Sequence, residues 1–226
     1  MIESSLPALE IFLRQRLATS PLPGPSAQWR FAPRPPADGW TPDLSPETAR
    51  PAAALILVYD NGHGPTIPLT VRHAGLPQHA GQVSLPGGAI DPGESIEAAA
   101  LRESEEEIGV PGDQVRLLGR LSPLWIPVSN FLVQPVVGIV EGRPVFRLHP
   151  HEVSEILHAP IAELRDRSRL RWVTRDRNGV RLRYPSFDVG SHTVWGATAT
   201  ILGEFACLFD DTHGPNSPTD ESTIGT

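Results

Sequence analysis

The stretch Gly87–Val110, GGAIDPGESIEAAALRESEEEIGV, joins a glycine turn to a strongly acidic segment. Pro92-Gly93 closes the turn, Glu94-Ser95 opens a helix and Gly109 stops it, so the signals predict a helix from about Ser95 to Ile108. At 100° per residue Glu103, Glu106 and Glu107 share one sector, because they stand at i, i+3 and i+4. Ala98, Leu101 and Ile108 fall on the opposite side. The expectation is therefore that this apolar stripe is buried and that the acidic face, bordered by Ala99 and Ala100, looks into a cavity. Six glutamates and one arginine lie between Glu94 and Glu107. Like charges at this spacing weaken a helix, so a counter-charge is expected. Clustered carboxylates are hard donors that suit Mg²⁺ or Mn²⁺; a solvated acidic face is the alternative reading.

Counted from Gly88, the chain follows G-x5-E-x7-R-E-U-x-E-E-x-G-U, with U a bulky aliphatic residue. Gly88, Glu94, Arg102, Glu103, Glu106, Glu107, Gly109 and Val110 fill it, and Ser104 at the first U is the one departure, read as bearing on packing rather than on metal. The stretch resembles the Nudix box. The resemblance implies an α/β fold with a mixed β-sheet sandwiched between helices (α/β/α). It also implies a metal-dependent pyrophosphohydrolase acting on a nucleoside diphosphate derivative. Glu103, Glu106 and Glu107, with the Gly87 carbonyl, would hold the metal; Glu103 also counts among the catalytic carboxylates. Arg102 would orient its neighbours, and Glu94 would pair with Arg102 or stabilise the loop. Nudix enzymes commonly draw a further carboxylate from beyond the box as ligand or general base, which nominates Glu152 and, behind it, Glu155. The other reading of both is an acid opening a helix.

Upstream, Leu69 to Gly88 (LTVRHAGLPQHAGQVSLPGG) resembles the signature that precedes the box in coenzyme A pyrophosphatases. Leu69, Thr70, Arg72, Gly81, Pro86, Gly87 and Gly88 match; Pro68, His73, Pro77 and Leu85 depart. Substrate-binding candidates are Arg72, His79 and Gly88, with a solvated strand-end arginine and a loop-capping histidine as the plain alternatives. Pro77 removes a cation from the pattern. The function implied is hydrolysis of coenzyme A or an acyl derivative to 4′-phosphopantetheine and 3′,5′-ADP. ADP-ribose or a dinucleotide is the alternative substrate, and a non-catalytic nucleotide-binding module is the alternative class.

Flanking the box, Ala52–Tyr59 and Thr66–Arg72 read as strands of a hairpin in a sheet covered on both faces. Val115–Leu118 and Leu121–Leu124 read as a broken strand. Phe131–Val140 is a further strand, in which Pro135 implies an edge or a bulge. Pro150–Leu157 runs from polar to apolar, and Ile161–Leu164 is one helical turn. Eight arginines crowd 165–183, where LRWVTR and VRLRY alternate as a hairpin turning at Arg177-Asn178-Gly179. Thr193–Phe209 reads as an apolar helix covering one sheet face, and PxF…G…WGATA there extends the resemblance over about residues 52 to 209.

Leu6–Leu17 reads as an amphipathic helix, and the proline-rich stretch from 19 to 52 as a meander packing Trp29, Phe31 and Trp40. Three parts follow: 1–51, a helix and proline-rich segment on the domain; 52–209, the domain; and 210–226, a polar tail expected to be disordered. The 226 residues carry a net charge of −7 and no lysine, which argues against nucleic acid or a membrane surface as partner. A single cysteine, Cys207, excludes an internal disulfide and points to a reducing compartment, so the expected location is cytoplasmic. A small nucleotide is the expected partner, and a homodimer is one assembly open to the chain.

Overall fold

The structure, a computed structural model, describes residues 5–18, 21–36, 40–76, 79–177 and 179–210. Pro77, Asn178 and the tail from 211 to 226 lie outside them. In chain order the elements are α1 (Leu6–Ala18), α2 (Gly24–Arg30), β1 (Arg50–Asp60), β2 (Pro65–Arg72), β3 (Val83–Ser84) and β4 (Gly87–Ala89). They continue with α3 (Ile96–Ile108), β5 (Val115–Arg120), β6 (Leu124–Ile126), β7 (Phe131–Val140), β8 (Val153–Pro160) and α4 (Ile161–Arg165). The last four are β9 (Arg171–Arg177), β10 (Val180–Val189), β11 (His192–Trp195) and α5 (Gly196–Cys207).

The unbroken apolar run of β1 suits a strand buried on both faces. Ala54, Ile56 and Val58 join one core with α1 and α5, whereas Ala53, Leu55, Leu57 and Tyr59 join another beneath α3. The sheet is mixed and lies between helices: β1 runs parallel to β7 from Arg50↔Phe131 to Val58↔Ile139, and β2, β4, β5, β6 and β8 pair antiparallel. A second sheet, β11-β10-β9, stands beside it, and β9 and β10 form the expected hairpin. Among the described residues no helix is long and apolar enough to cross a membrane.

The expected β1–β2 hairpin forms but is short, meeting only at Tyr59↔Thr66 and Asp60↔Pro65, because β4 occupies the same edge of β1 at Ala52–Ala54; further along, β2 pairs with β8 and β3. Three expectations are corrected. Pro135 is at neither an edge nor a bulge of β7. It faces the gap between β6, which pairs up to Val133, and β5, which starts at Val136, so its missing N–H interrupts no ladder. Residues 24–30 form a helix inside the presumed meander, with Pro25 in the first turn, where a missing N–H costs nothing. Thr193–Trp195 is strand, and the helix starts only at Gly196.

The N-terminal segment is tied into the domain through α5. A Cβ on Gly203 would lie 2.1 Å from the Phe31 ring, so glycine is what lets the segment after α2 approach. The fully buried Glu204 carboxylate accepts from Gly24 N, Ser122 N and Gln28 Nε2 at 3.1, 3.1 and 2.8 Å.

Candidate functional site

α3 begins and ends where its caps dictate. Ser95 Oγ accepts the Ala98 N–H at 3.1 Å, and Gly109 turns left-handed (φ 73°) to bond Glu105 O. The helix is reached through β4, pressed so closely on β1 that a Cβ on Gly87 would stand 2.4 Å from Ala53 O. A Cβ on Gly88 would stand 2.3 Å from Glu103 Oε1. Gly87 thus lets β4 close on β1, and Gly88 makes the space into which Glu103 reaches.

The expected face of α3 is corrected in part: Ile108 is buried as expected and Leu101 packs on the core, but the buried face is rotated. Ala99, Ala100, Ser104, Glu107 and Ile108 are buried, Ala98 is exposed and Leu101 is only partly covered. The small Ala99 and Ala100 let the helix settle against Ala53 and Leu55, and this rotation carries Glu107 under the helix instead of into an open cavity. Only 3% of Glu107 is exposed, whereas the Glu106 side chain is 57% exposed.

Arg102 organises the outer carboxylates. Its Nε and Nη2 donate to the two oxygens of Glu94 at 2.9 and 3.0 Å; its Nη1 donates to Glu103 Oε1 at 2.9 Å and Glu106 Oε2 at 3.3 Å. The pair with Glu94 is a bidentate fork. Arg102 is accordingly held even more firmly protonated, and Glu94 is pushed below the usual carboxylate range, both chiefly by that fork.

The inner carboxylates are under strain. Burial raises Glu103, with Arg102 pulling the other way. Burial, then the charge of Glu103, raises Glu107 to about 8, opposed by Arg72 and by a backbone hydrogen bond from Gly87. Glu107 Oε2 is buried without a partner.

Among the described residues no three His, Cys, Asp or Glu side chains converge closely enough to make a finished metal cage: Glu103 and Glu106 turn to Arg102 while Glu107 turns inward. The donor set still fits a hard divalent cation. It offers an unpaired buried carboxylate oxygen and two carboxylates whose repulsion and burial a positive charge would relieve.

Around this pair the fold gathers residues distant in sequence. Arg72 ends β2 beyond a bulge; its backbone bonds Gln82 O and Gly81 N, and its buried Nε has no partner. The next residue, His73, donates its N–H to Glu152 O at 2.7 Å, which brings Glu152 to the site; its charge is felt at both Glu103 and Glu107. Glu152 leads into strand β8, and Glu155 lies within it, so the helix-opening reading of both is corrected. Glu155 instead faces His192, 3.4 Å away. His79 adopts a left-handed backbone (φ 59°), and its Nδ1 meets Gln82 Oε1 at 3.0 Å, a contact within its own loop.

His149 was not singled out by sequence reasoning. Its N–H donates to Glu107 O at 2.9 Å and its ring lies 3.7 Å from Glu152, yet nothing in HPHE marks it at a distance of more than forty residues from the helix it touches. Several arginines of the 165–183 cluster are occupied elsewhere. Arg167 and Arg169 pair with Asp210 and Glu163, while Arg175 and Arg183 lie over Trp195 and Trp172. Cavities of about 410 and 560 Å³ flank the N-terminal helices, beside Leu22 and Glu10 respectively, and touch none of the box carboxylates. The donor set, rather than concavity, is what locates the chemistry.

A family model described as "NUDIX domain" matches residues 48–185. A protein of Photorhabdus laumondii named "Uncharacterized Nudix hydrolase NudL" is 40% identical over 155 residues, covering 68% of this chain and 82% of that protein. Its namesake in Pectobacterium atrosepticum is 37% identical over 171 residues, covering 75% and 88%. Among solved structures, the Nudix hydrolase RenU from M. smegmatis aligns with a TM-score of 0.45 and 22% identity over 52% of this chain and 74% of that one.

Proposed function

The chain belongs to the Nudix family and is a Nudix hydrolase, and on that premise we propose that it cleaves the diphosphate bond of a nucleoside diphosphate derivative, coenzyme A or an acyl-coenzyme A in the first place. Nudix hydrolases generally use divalent cations. The observation that carries the reading is the buried Glu107, with one carboxylate oxygen unpaired and Arg72 alongside, next to the half-buried Glu103 that Gly88 leaves room for.

In this reading Glu103, Glu106, Glu107 and the Gly87 carbonyl hold Mg²⁺ or Mn²⁺. When bound, the cation supplies charge neutralisation at the diphosphate and a lower pKa for the attacking water. Arg102 holds Glu103 and Glu106 in place against Glu94. Gly88 keeps the backbone clear, Arg72 receives a phosphate oxygen, and His79 lines the loop on the substrate side. Glu152, near both inner carboxylates and open to solvent, takes the proton of the attacking water. Residues 52–209 form the catalytic domain with 1–51 as its packed flank, in a cytoplasmic enzyme for a small nucleotide. The testing experiment is a panel of coenzyme A, acyl-coenzyme A, ADP-ribose, NADH and diadenosine polyphosphates, each with Mg²⁺ and Mn²⁺. Preference for coenzyme A supports the reading; preference for ADP-ribose moves the substrate but keeps the chemistry.

A further inference from the structure

His73 follows β2 directly, one peptide beyond Arg72, and its backbone is anchored twice. Its N–H donates to Glu152 O at 2.7 Å, and its carbonyl accepts from Leu76 N at 3.1 Å, which closes a turn. The ring folds over that turn, where Nδ1 accepts the Gly75 N–H at 3.0 Å. A backbone N–H can only donate, so Nδ1 uses its lone pair there and the ring carries its one proton on Nε2. Gly75 permits the approach, since a Cβ on it would stand 3.2 Å from Nδ1 and 3.5 Å from Cε1. The residue is exposed, and among the described residues nothing accepts the Nε2 proton. His79 is fixed in the other sense: its Nδ1 donates to Gln82 Oε1 at 3.0 Å, which leaves a lone pair on Nε2 of the neutral ring. A short Asn or Ser side chain would suffice to accept the Gly75 N–H. What the imidazole adds is a donor of set direction, beside an arginine whose buried Nε has no partner. His73, like Pro77, departs from the upstream signature; one departure removes a cation and the other brings this donor.

We propose that His73 is a substrate-binding residue: its Nε2–H donates to a non-bridging phosphate oxygen of the substrate, next to the oxygen that Arg72 receives. The proposal rests on the reading of the chain as a diphosphate hydrolase with Arg72 on the phosphate. The donor is neutral and its tautomer is set by the turn, so it recognises the phosphate by position and without a protein charge.

The test is steady-state kinetics of the full chain with Mg²⁺, on whichever of coenzyme A, ADP-ribose and NADH the wild type turns over best. The chains are wild type, His73→Asn, His73→Gln and Glu107→Gln, each with its Tm. The asparagine Oδ1 falls near the Nδ1 position, so it keeps the bond from Gly75 N and places no donor at Nε2. The glutamine amide reaches the Nε2 position and leaves the turn uncapped. His73→Asn is expected to raise KM by about tenfold or more, with kcat within about threefold and Tm unchanged, because one hydrogen bond to a charged group is lost. His73→Gln should keep KM within about threefold of wild type even where its Tm falls. A wild-type KM in His73→Asn, an equal rise of KM in both chains, or a loss confined to kcat overturns the proposal and leaves His73 a turn cap. Turnover of none of the three compounds, or a wild-type kcat in Glu107→Gln, would instead remove the diphosphatase reading, and the proposal with it, by a route independent of the His73 series.

Discussion

Glu107 sits in a place that disfavours its charge, and this makes two measurements diagnostic. Removing the charge with Glu107→Gln should lower kcat by about 10²-fold or more, since an anionic donor is lost at the reacting phosphate. The same change should not cost stability when metal is absent. The folded pKa, near 8, lies above the unfolded value of about 4.3, so the folded state binds the proton more tightly. That contribution is fully present below about pH 4.3 and is lost as pH rises through 8. In chelator, the wild-type Tm should therefore fall relative to Glu107→Gln between about pH 5 and 8, and Mn²⁺ should restore it. Parallel melting curves for the two chains across that range would contradict the burial of an ionisable Glu107. Cys207 makes the opposite case. The fold does bring Arg30 to within 3.9 Å of its sulfur, a partner not visible in the local sequence, yet burial wins and pushes the thiol up. Cys207→Ala should leave kcat within about twofold; a loss above about tenfold without loss of stability would give the thiol a role in turnover.

At the scale of elements, α3 and α5 are positioned by what their neighbours lack. Gly87 leaves room for the β1 backbone, Gly88 for Glu103 and Gly203 for Phe31. Gly203→Ala would force its new methyl group into the Phe31 ring and should destabilise the chain by about 1 to 3 kcal/mol, as overpacking does. Because Gly203 lies on the face that carries α2, away from the box helix, KM should be unchanged. Urea unfolding and steady-state kinetics read the two effects separately, and an unaltered midpoint would show that the N-terminal segment is not clamped through this contact. The box helix was legible to within a residue, because Ser95 and Gly109 are local signals. Its buried face was not legible, since any of several rotations satisfies the pattern until the sheet that it meets is known.

For the molecule as a whole, substrate choice depends on cations that the fold has partly committed. Coenzyme A carries a 3′-phosphate that a selective site should meet with arginine. Arg167 and Arg169 are in ion pairs, and Arg175 and Arg183 cover tryptophans, while Arg72 sits beside Glu107. The expected outcome is preference for coenzyme A over 3′-dephospho-coenzyme A by less than about a hundredfold in kcat/KM, the worth of one charge-assisted contact. A ratio far above that would require an arginine pair dedicated to the 3′-phosphate.

The sequence alone determined the caps and carboxylate spacing of α3, the apolar run of β1, the β9–β10 alternation and the family resemblance carried by the box. All of these are written in residues a few positions apart. The tertiary structure decided which carboxylate goes under the helix, how β2 leaves β1 for β8, that 24–30 is helical, and that His149 and Glu152 reach the box, Glu152 held there by the His73 backbone. Those outcomes turn on competition between edges and faces of elements far apart in the chain. A single sequence records the candidates for such a competition, and only packing selects among them.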